Sequence, residues 1–231
     1  MKLKPTHLSL VLSPLILLAA CSNPADGTAE ATVNPPGQME ATISAVKPAA
    51  PTGKPFSLQP SSKIEFVGSK VTGSHSGGFS KVAGEFFVEE GKLASSGHRI
   101  VIDNSSLWTD TDRLTGHLKN ADFFDVANNP LSTFVATAIE QTGTDHKVSG
   151  DLTLHGVTRN ISFPAQVTVS DNVVKIAAEF HIDRYDFEMK YAGQADNLIR
   201  KEVVIKLNVE ASPGKTDFTA FEAAAKSGAS L

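Results

Sequence analysis

Cysteine is nearly absent: Cys21 is the single one in 231 residues. That excludes an internal disulfide and any thiolate-built metal centre, so the fold has to be stabilised by its core. Surplus positive charge is absent as well. Lys and Arg number 21 against 25 Asp and Glu, a net charge of −4 that falls by two more units once Lys2 and Lys4 are removed. Nucleic acid calls for a basic footprint and anionic lipid for an electrostatic grip, and the composition supplies neither. No apolar run is long enough to cross a ~30 Å hydrocarbon core as a helix. The stretch Leu8 to Leu18 is too short and is interrupted by Pro14. Reactive patterns are missing too. His75, His98, His117, His146, His155 and His181 are scattered singly, without H-x-x-x-H or H-x-H spacing, and no G-x-S-x-G elbow accompanies them.

The N-terminus has the three parts of a secretory signal. Lys2 and Lys4 open it, the apolar run follows, and the small residues Ala19 and Ala20 precede the cysteine. Leu18-Ala19-Ala20-Cys21 resembles the bacterial lipobox, which implies a signal peptide over 1–20 and lipidation of Cys21. Each buried methylene contributes about 0.8 kcal/mol and one acyl chain holds weakly, so two or three chains such as palmitate give stable anchoring. By resemblance to enteric lipoproteins, Ser22 in place of Asp favours the outer membrane. The expected location is therefore the bacterial cell envelope, anchored by lipid and facing the periplasm.

From Ser22 to Pro55 the chain is rich in Ala, Thr, Pro and Gly and poor in large apolar residues. Residues 21–55 read as a disordered tether with a root-mean-square span on the order of 30 Å. From Phe56 onward, period-two runs alternate with turn residues. Ile64 and Phe66 alternate with Lys63 and Glu65. Val174, Ile176, Ala178, Phe180 and Ile182 share one parity, and Val203, Ile205, Leu207 and Val209 share another. Ile161, Phe163, Val167 and Val169 form a further run in which Pro164 marks an edge or bulge. With runs at 82–89, 100–103, 131–141 and 146–154, about eight strands imply an all-β antiparallel sandwich or barrel over 56–212. The spacing predicts a short helix over Thr111 to Phe124 and a second over Thr216 to Lys226, within a C-terminal segment 213–231.

Three segments resemble the YceI family. Arg113-Leu114-Thr115-Gly116-His117-Leu118-Lys119-Asn120-Ala121-Asp122-Phe123-Phe124-Asp125-Val126, with Pro130 and Phe134, is similar to that family's HL-x-x-x-DFFDV signature. Gly150-Asp151-Leu152-Thr153-Leu154-His155-Gly156-Val157-Thr158 is similar to its GDLTLHGVT strand, and Ile182-Asp183-Arg184-Tyr185-Asp186-Phe187 to a late strand. His75, Gly78, Phe79 and Gly84 resemble its first turn. The resemblance implies a lipocalin-like antiparallel β-barrel of about eight strands, with a short helix over one end, that binds polyisoprenoids. Two departures, the glycine-rich loop after His75 and the loop from Ala192 to Arg200, fall where they would reshape the barrel mouth.

Thirteen Phe against one Trp and two Tyr is a skewed aromatic choice. An eight-stranded barrel is just wide enough to be filled or to hold one elongated ligand. If it holds one, the walls are Phe66, Phe79, Phe86, Ile100, Ile102, Leu114, Leu118, Phe123, Phe134, Leu152, Leu154, Phe163, Phe180 and Phe187. Polar contacts at the mouth would come from His75, Arg113, His117, His155 and Arg184. For the two arginines, ion pairs with Asp122, Asp183 or Asp186 are the competing role. The expected function is a tethered binding protein, not an enzyme, with no metal or cofactor, carrying an isoprenoid lipid: a polyprenol, a polyprenyl phosphate or an isoprenoid quinone. Two alternatives stay open. One is an enzyme acting on such a lipid with His117 and Asp122 as base and orienter; the other is a scaffold or stress protein whose core is filled.

Overall fold

The computed structural model describes residues 23–34, 52–195 and 197–227. The signal peptide expected over 1–20, Cys21, and the part of the expected tether from 35 to 51 lie outside the described residues. Two short strands come first, β1 (Ala29–Glu30) and β2 (Thr32–Val33). Then follow β3 (Lys54–Leu58), β4 (Lys63–Lys70), β5 (Gly73–Phe79), β6 (Val82–Glu89), β7 (Lys92–Leu93), β8 (Arg99–Asp103) and β9 (Leu107–Thr109). After helix α1 (Asp112–Leu118) come β10 (Leu131–Thr142), β11 (Asp145–Leu154), β12 (Val157–Val169), β13 (Val174–Asp183), β14 (Gly193–Gln194), β15 (Asn197–Pro213) and helix α2 (Phe218–Ser227).

These strands close a barrel. β3 with β4, β5 with β6, and β8 with β9 are bent continuations of one another, because both members of each pair follow the same neighbours. Each neighbour is antiparallel, from β8 through β10, β11, β12 and β13 to β15, which returns to β3 and β4. The result is the eight-stranded antiparallel barrel that the period-two runs imply. Closure matters physically, because it removes the unpaired edges that an open sheet would present to other chains.

Glycine allows the wall to curve. At two places a Phe ring lies over a glycine on the facing strand: Phe66 over Gly77 and Phe134 over Gly150. A Cβ at Gly150 would come within 2.4 Å of Cζ of Phe134 and 2.6 Å of the Val135 carbonyl oxygen. Because one obstacle is backbone, a rotamer change cannot relieve both. Gly150→Val is therefore expected to destabilise the barrel by about 2–3 kcal/mol, read as a lower urea midpoint with an unchanged m-value.

The structure differs from the sequence reading in two elements. The first helix ends at Leu118 instead of reaching Phe124. Beyond it the Phe124 amide donates to the Leu118 carbonyl, and Asp125 takes a left-handed φ of 46°. These tight turns fold Phe123 and Phe124 back over the barrel. The second difference is at residues 29–33, within the stretch read as disordered, which form β1 and β2 and join the wall. Side-chain hydrophobicity is too low to announce this. The segment is held by backbone hydrogen bonds to open strand edges, with Ala31 buried at 4% exposure. The second helix matches its expected place. It lies over the outer face of β8 and β10, where Arg99 pairs with Glu222 at 2.6 Å and stacks 4.5 Å from the Phe218 ring centroid.

Candidate functional site

Because side chains alternate along each strand, every second residue points into the barrel. Those residues are apolar and do not fill it. A cavity of about 710 Å³ runs inside, within the range of pockets that hold small molecules. Its far end is plugged by a cluster of Phe56, Ile64, Phe86, Ile100, Val174, Val209 and Ala211. The open end lies under α1, whose Leu118 packs with Phe66, Leu107 and Phe123. Ile176, Ile205 and Leu207 face inward yet keep partial exposure, since they border empty space.

Of the fourteen apolar residues expected in the walls, thirteen line this cavity: Phe66, Phe79, Phe86, Ile100, Ile102, Leu114, Leu118, Phe123, Phe134, Leu152, Leu154, Phe163 and Phe180. Phe187 does not. It is fully buried in a 3-10 turn (Arg184–Phe187), within the core cluster that includes Ile182 and Met189. The DF pair of the late segment is thus a packing anchor. Reading the strands one parity at a time would have added Ile161, Ile176, Ile182, Val203, Ile205 and Leu207, all of which line the cavity.

The polar residues divide. His75, Arg113, His117 and Arg184 line the cavity, whereas His155 does not. His155 and Gly156 hold φ of 50° and 73° in the two-residue turn between β11 and β12, the conformation a tight hairpin requires. Its Nδ1 lies 3.2 Å from the Phe187 carbonyl oxygen, so it ties one loop to the next. His75 Nδ1 lies 2.9 Å from Asp110 Oδ1, and this hydrogen bond holds the Asp110 carboxyl below its ordinary range. His117 is set edge-on between the rings of Phe123 and Tyr191, with centroids 5.1 and 5.0 Å away, and its Nε2 is 3.4 Å from Asp122 Oδ2. That is too long for a firm base–orienter bond.

Among the described residues, Arg184 makes no ion pair with Asp122, Asp183 or Asp186. Asp183 pairs instead with Lys201 at 2.7 Å. The Arg184 guanidinium, at 3% exposure, donates to four backbone carbonyls, those of Met189, Tyr191, Ile199 and Arg200. Burial pulls its pKa down. It fastens the loop from 185 to 200, including the β14–β15 hairpin, across the mouth. Arg200 was missed from sequence; it lies in a bulge of β15, lines the cavity, and its Nε–H is buried without an acceptor. Among the described residues, Lys70, Arg113, Arg184 and Arg200 stand in the lining against a single carboxylate, Glu65. An acidic chain has gathered cations at one place.

His98, deeper in the lining, is buried with its hydrogen bonds complete. Nδ1 accepts from the Phe87 amide at 3.1 Å, and Nε2 donates to the Ala94 carbonyl at 2.8 Å. Burial lowers its pKa from the usual histidine value. Above about pH 6.5 folded and unfolded chains both hold it neutral, and its contribution is full. As pH falls below that value the unfolded chain takes a proton that the folded one refuses. Stability is expected to fall with a slope of up to about 1.4 kcal/mol per pH unit from this group. Urea midpoints at pH 7.5 and 5.0 check it, and His98→Gln should remove that share of the slope.

A family profile described as the YceI-like domain matches residues 56–211. A UPF0312 protein of Pseudomonas putida is 38% identical over 90 residues, 38% of this chain and 47% of that protein. Protein YceI of Escherichia coli is 33% identical over 91 residues, 39% of this chain and 48% of that one. The chain thus spans about half the length of these curated relatives. Among solved structures, Burkholderia cenocepacia BcnA superposes with a TM-score of 0.58 at 24% identity, covering 65% of this chain and 96% of that one. A polyisoprenoid binding domain from Saccharophagus degradans, implicated in plant cell wall breakdown, gives 0.58 at 21% identity, over 69% and 98% of the two chains. At these identities the likeness concerns the fold.

Proposed function

The chain belongs to the YceI-like family through residues 56–211, and from that premise we propose that it is a lipid-anchored carrier of an isoprenoid lipid. The observation that carries the reading is the unfilled apolar cavity, about 710 Å³, closed at one end and open at the other. A filled barrel would suit a scaffold; this interior suits a long flexible tail. Burying about 400 Å² of tail contributes on the order of 10 kcal/mol before association costs. Binding therefore needs no charge, and the mouth is left to choose the head group.

The mouth favours an anionic head over a quinone or a free alcohol. Among the described residues, Arg113 and Lys70 line the mouth without a hydrogen-bond or ion-pair partner, and the buried Arg200 Nε–H lacks an acceptor. A buried donor without a partner is unfavourable, and a phosphate oxygen would satisfy it. A polyprenyl phosphate meets both requirements. Cys21, acylated after removal of residues 1–20, would hold the barrel at an envelope membrane facing the periplasm, and Ser22 favours the outer one.

Paired titrations test the reading. Decaprenyl phosphate and decaprenol are expected to bind with one site each. The Lys70→Glu, Arg113→Glu double variant should lose at least tenfold in affinity for the phosphate and little for the alcohol. Equal losses for both would remove the head-group assignment, and no binding of either would remove the carrier. For the anchor, Cys21→Ser is expected to move the protein from the membrane to the soluble fraction. Retention on the membrane would refute lipidation.

A further inference from the structure

The barrel wall has a seam. β12 and β13 pair only from Gln166–Ala177 to Val169–Val174, four register pairs next to their turn. Beyond that they part, although β12 continues along β11 and β13 along β15. Pro164 lies where they part. The Asn160 carbonyl accepts the Asn34 amide, so even-numbered residues on this stretch direct their backbone groups into the seam. Pro164 has that parity and no N–H, so the ladder cannot continue through it.

Residues 29–33 occupy the gap. β1 runs parallel to β13 at Phe180 and His181, and β2 antiparallel to β12 at Ile161 and Ser162. This arm is thinly held. It has two register pairs on each side, its buried side chains are the small Ala25 and Ala31, and Val33 packs partly buried against the core. Side-chain hydrogen bonds hold its two ends, Thr28 to His181 and Asn34 to Asn160 and Ser162. Glu30 borders the same depression as Asp183 and Asp186, of which Asp183 is paired with Lys201. Directly inside, Phe163 of β12 and Phe180 of β13 stack across the seam with centroids 4.1 Å apart, and both face the cavity. Removing the arm leaves side chains, the two rings with Ile161 and Ile182, and no backbone ladder between cavity and exterior. Few contacts and small buried area are the marks of a segment that opens locally.

We propose that the seam between β12 and β13 is a second, lateral opening of the cavity, through which an isoprenoid tail passes when residues 29–33 lift away. The proposal rests on the carrier reading above. It also gives the anchor a geometry, since Asn23, the start of the described arm, is two residues from Cys21. A lipid there holds the seam, rather than the helix-covered mouth, against the bilayer, where a tail can slide sideways without crossing water.

A reversible cross-link tests this. Thr32 and Ser162 are register partners, and directly opposed residues of an antiparallel pair lie about 5 Å apart at Cα, inside disulfide range. The full chain carrying Thr32→Cys and Ser162→Cys is placed in phosphatidylethanolamine–phosphatidylglycerol vesicles with tail-tagged decaprenyl phosphate. Oxidation is expected to slow transfer between membrane and protein at least tenfold, with full recovery on reduction and equilibrium affinity within twofold. Ala31→Asp, which puts a charge into the arm's buried contact, should speed transfer at least fivefold. Equal rates in the oxidised and reduced states, with the disulfide confirmed by mass, would overturn the portal while leaving the carrier intact. If the disulfide does not form, an unchanged rate in Ala31→Asp overturns it. Absence of ligand in every state would overturn the carrier and the portal together.

Discussion

Leu207→Trp is expected to lower affinity for a polyprenyl phosphate at least a hundredfold while leaving the barrel folded. Leu207 borders both the far-end cluster and the cluster of Ile161, Phe163 and Phe180 along the wall, and it lines the cavity. Its side chain faces open space, and the larger ring can extend without displacing packed neighbours. That separates this position from Phe163 or Val209, where overpacking would cost stability. A tail that buries about 400 Å² contributes on the order of 10 kcal/mol before costs, and shutting out half of it removes several kcal/mol. Each 1.4 kcal/mol is about a factor of ten in affinity. Isothermal titration with wild type and variant reads the change, and thermal unfolding of the same samples shows whether the fold survived. Wild-type affinity in the variant would mean that the tail lies elsewhere.

Arg184→Met is expected to give the largest loss of stability. The guanidinium meets four carbonyls from two backbone stretches, 189–191 and 199–200, and it is buried. Methionine fills much of the volume and satisfies none of them. Leaving buried acceptors unpaired costs about 1–3 kcal/mol each, although the loop relaxes to recover part of it. A net loss of about 3–5 kcal/mol lowers Tm by roughly 10 °C for a domain of this size. Arg184→Lys should rescue little, because a single ammonium cannot span a fork of four acceptors. Differential scanning calorimetry on the three proteins measures both statements.

The parts that sequence reveals and the parts it hides have physical causes. Parity along Val203, Ile205, Leu207 and Val209 follows from the pleat, and a pleat repeats, so the strands and the cavity-facing set were readable. Pro164 was readable as an interruption because a missing N–H has one consequence in a ladder. Arg184 was not readable. Its partners are backbone carbonyls brought together by a loop, and nothing in residue identity marks a carbonyl as an acceptor. The arm at 29–33 escaped for the same reason, since Ala, Thr and Val there bond through backbone to edges that exist only once β12 and β13 have parted. Phe187 shows the reverse, where a residue type suited to the cavity lining is buried wholly within the core packing.

The most direct test is native mass spectrometry of the full chain purified from its own host under conditions that spare bound lipid. One isoprenoid lipid per chain, released on denaturation and bearing phosphate, is the expected result. An interior that is empty in every preparation, and that takes up neither decaprenyl phosphate nor decaprenol when they are supplied, would contradict the carrier.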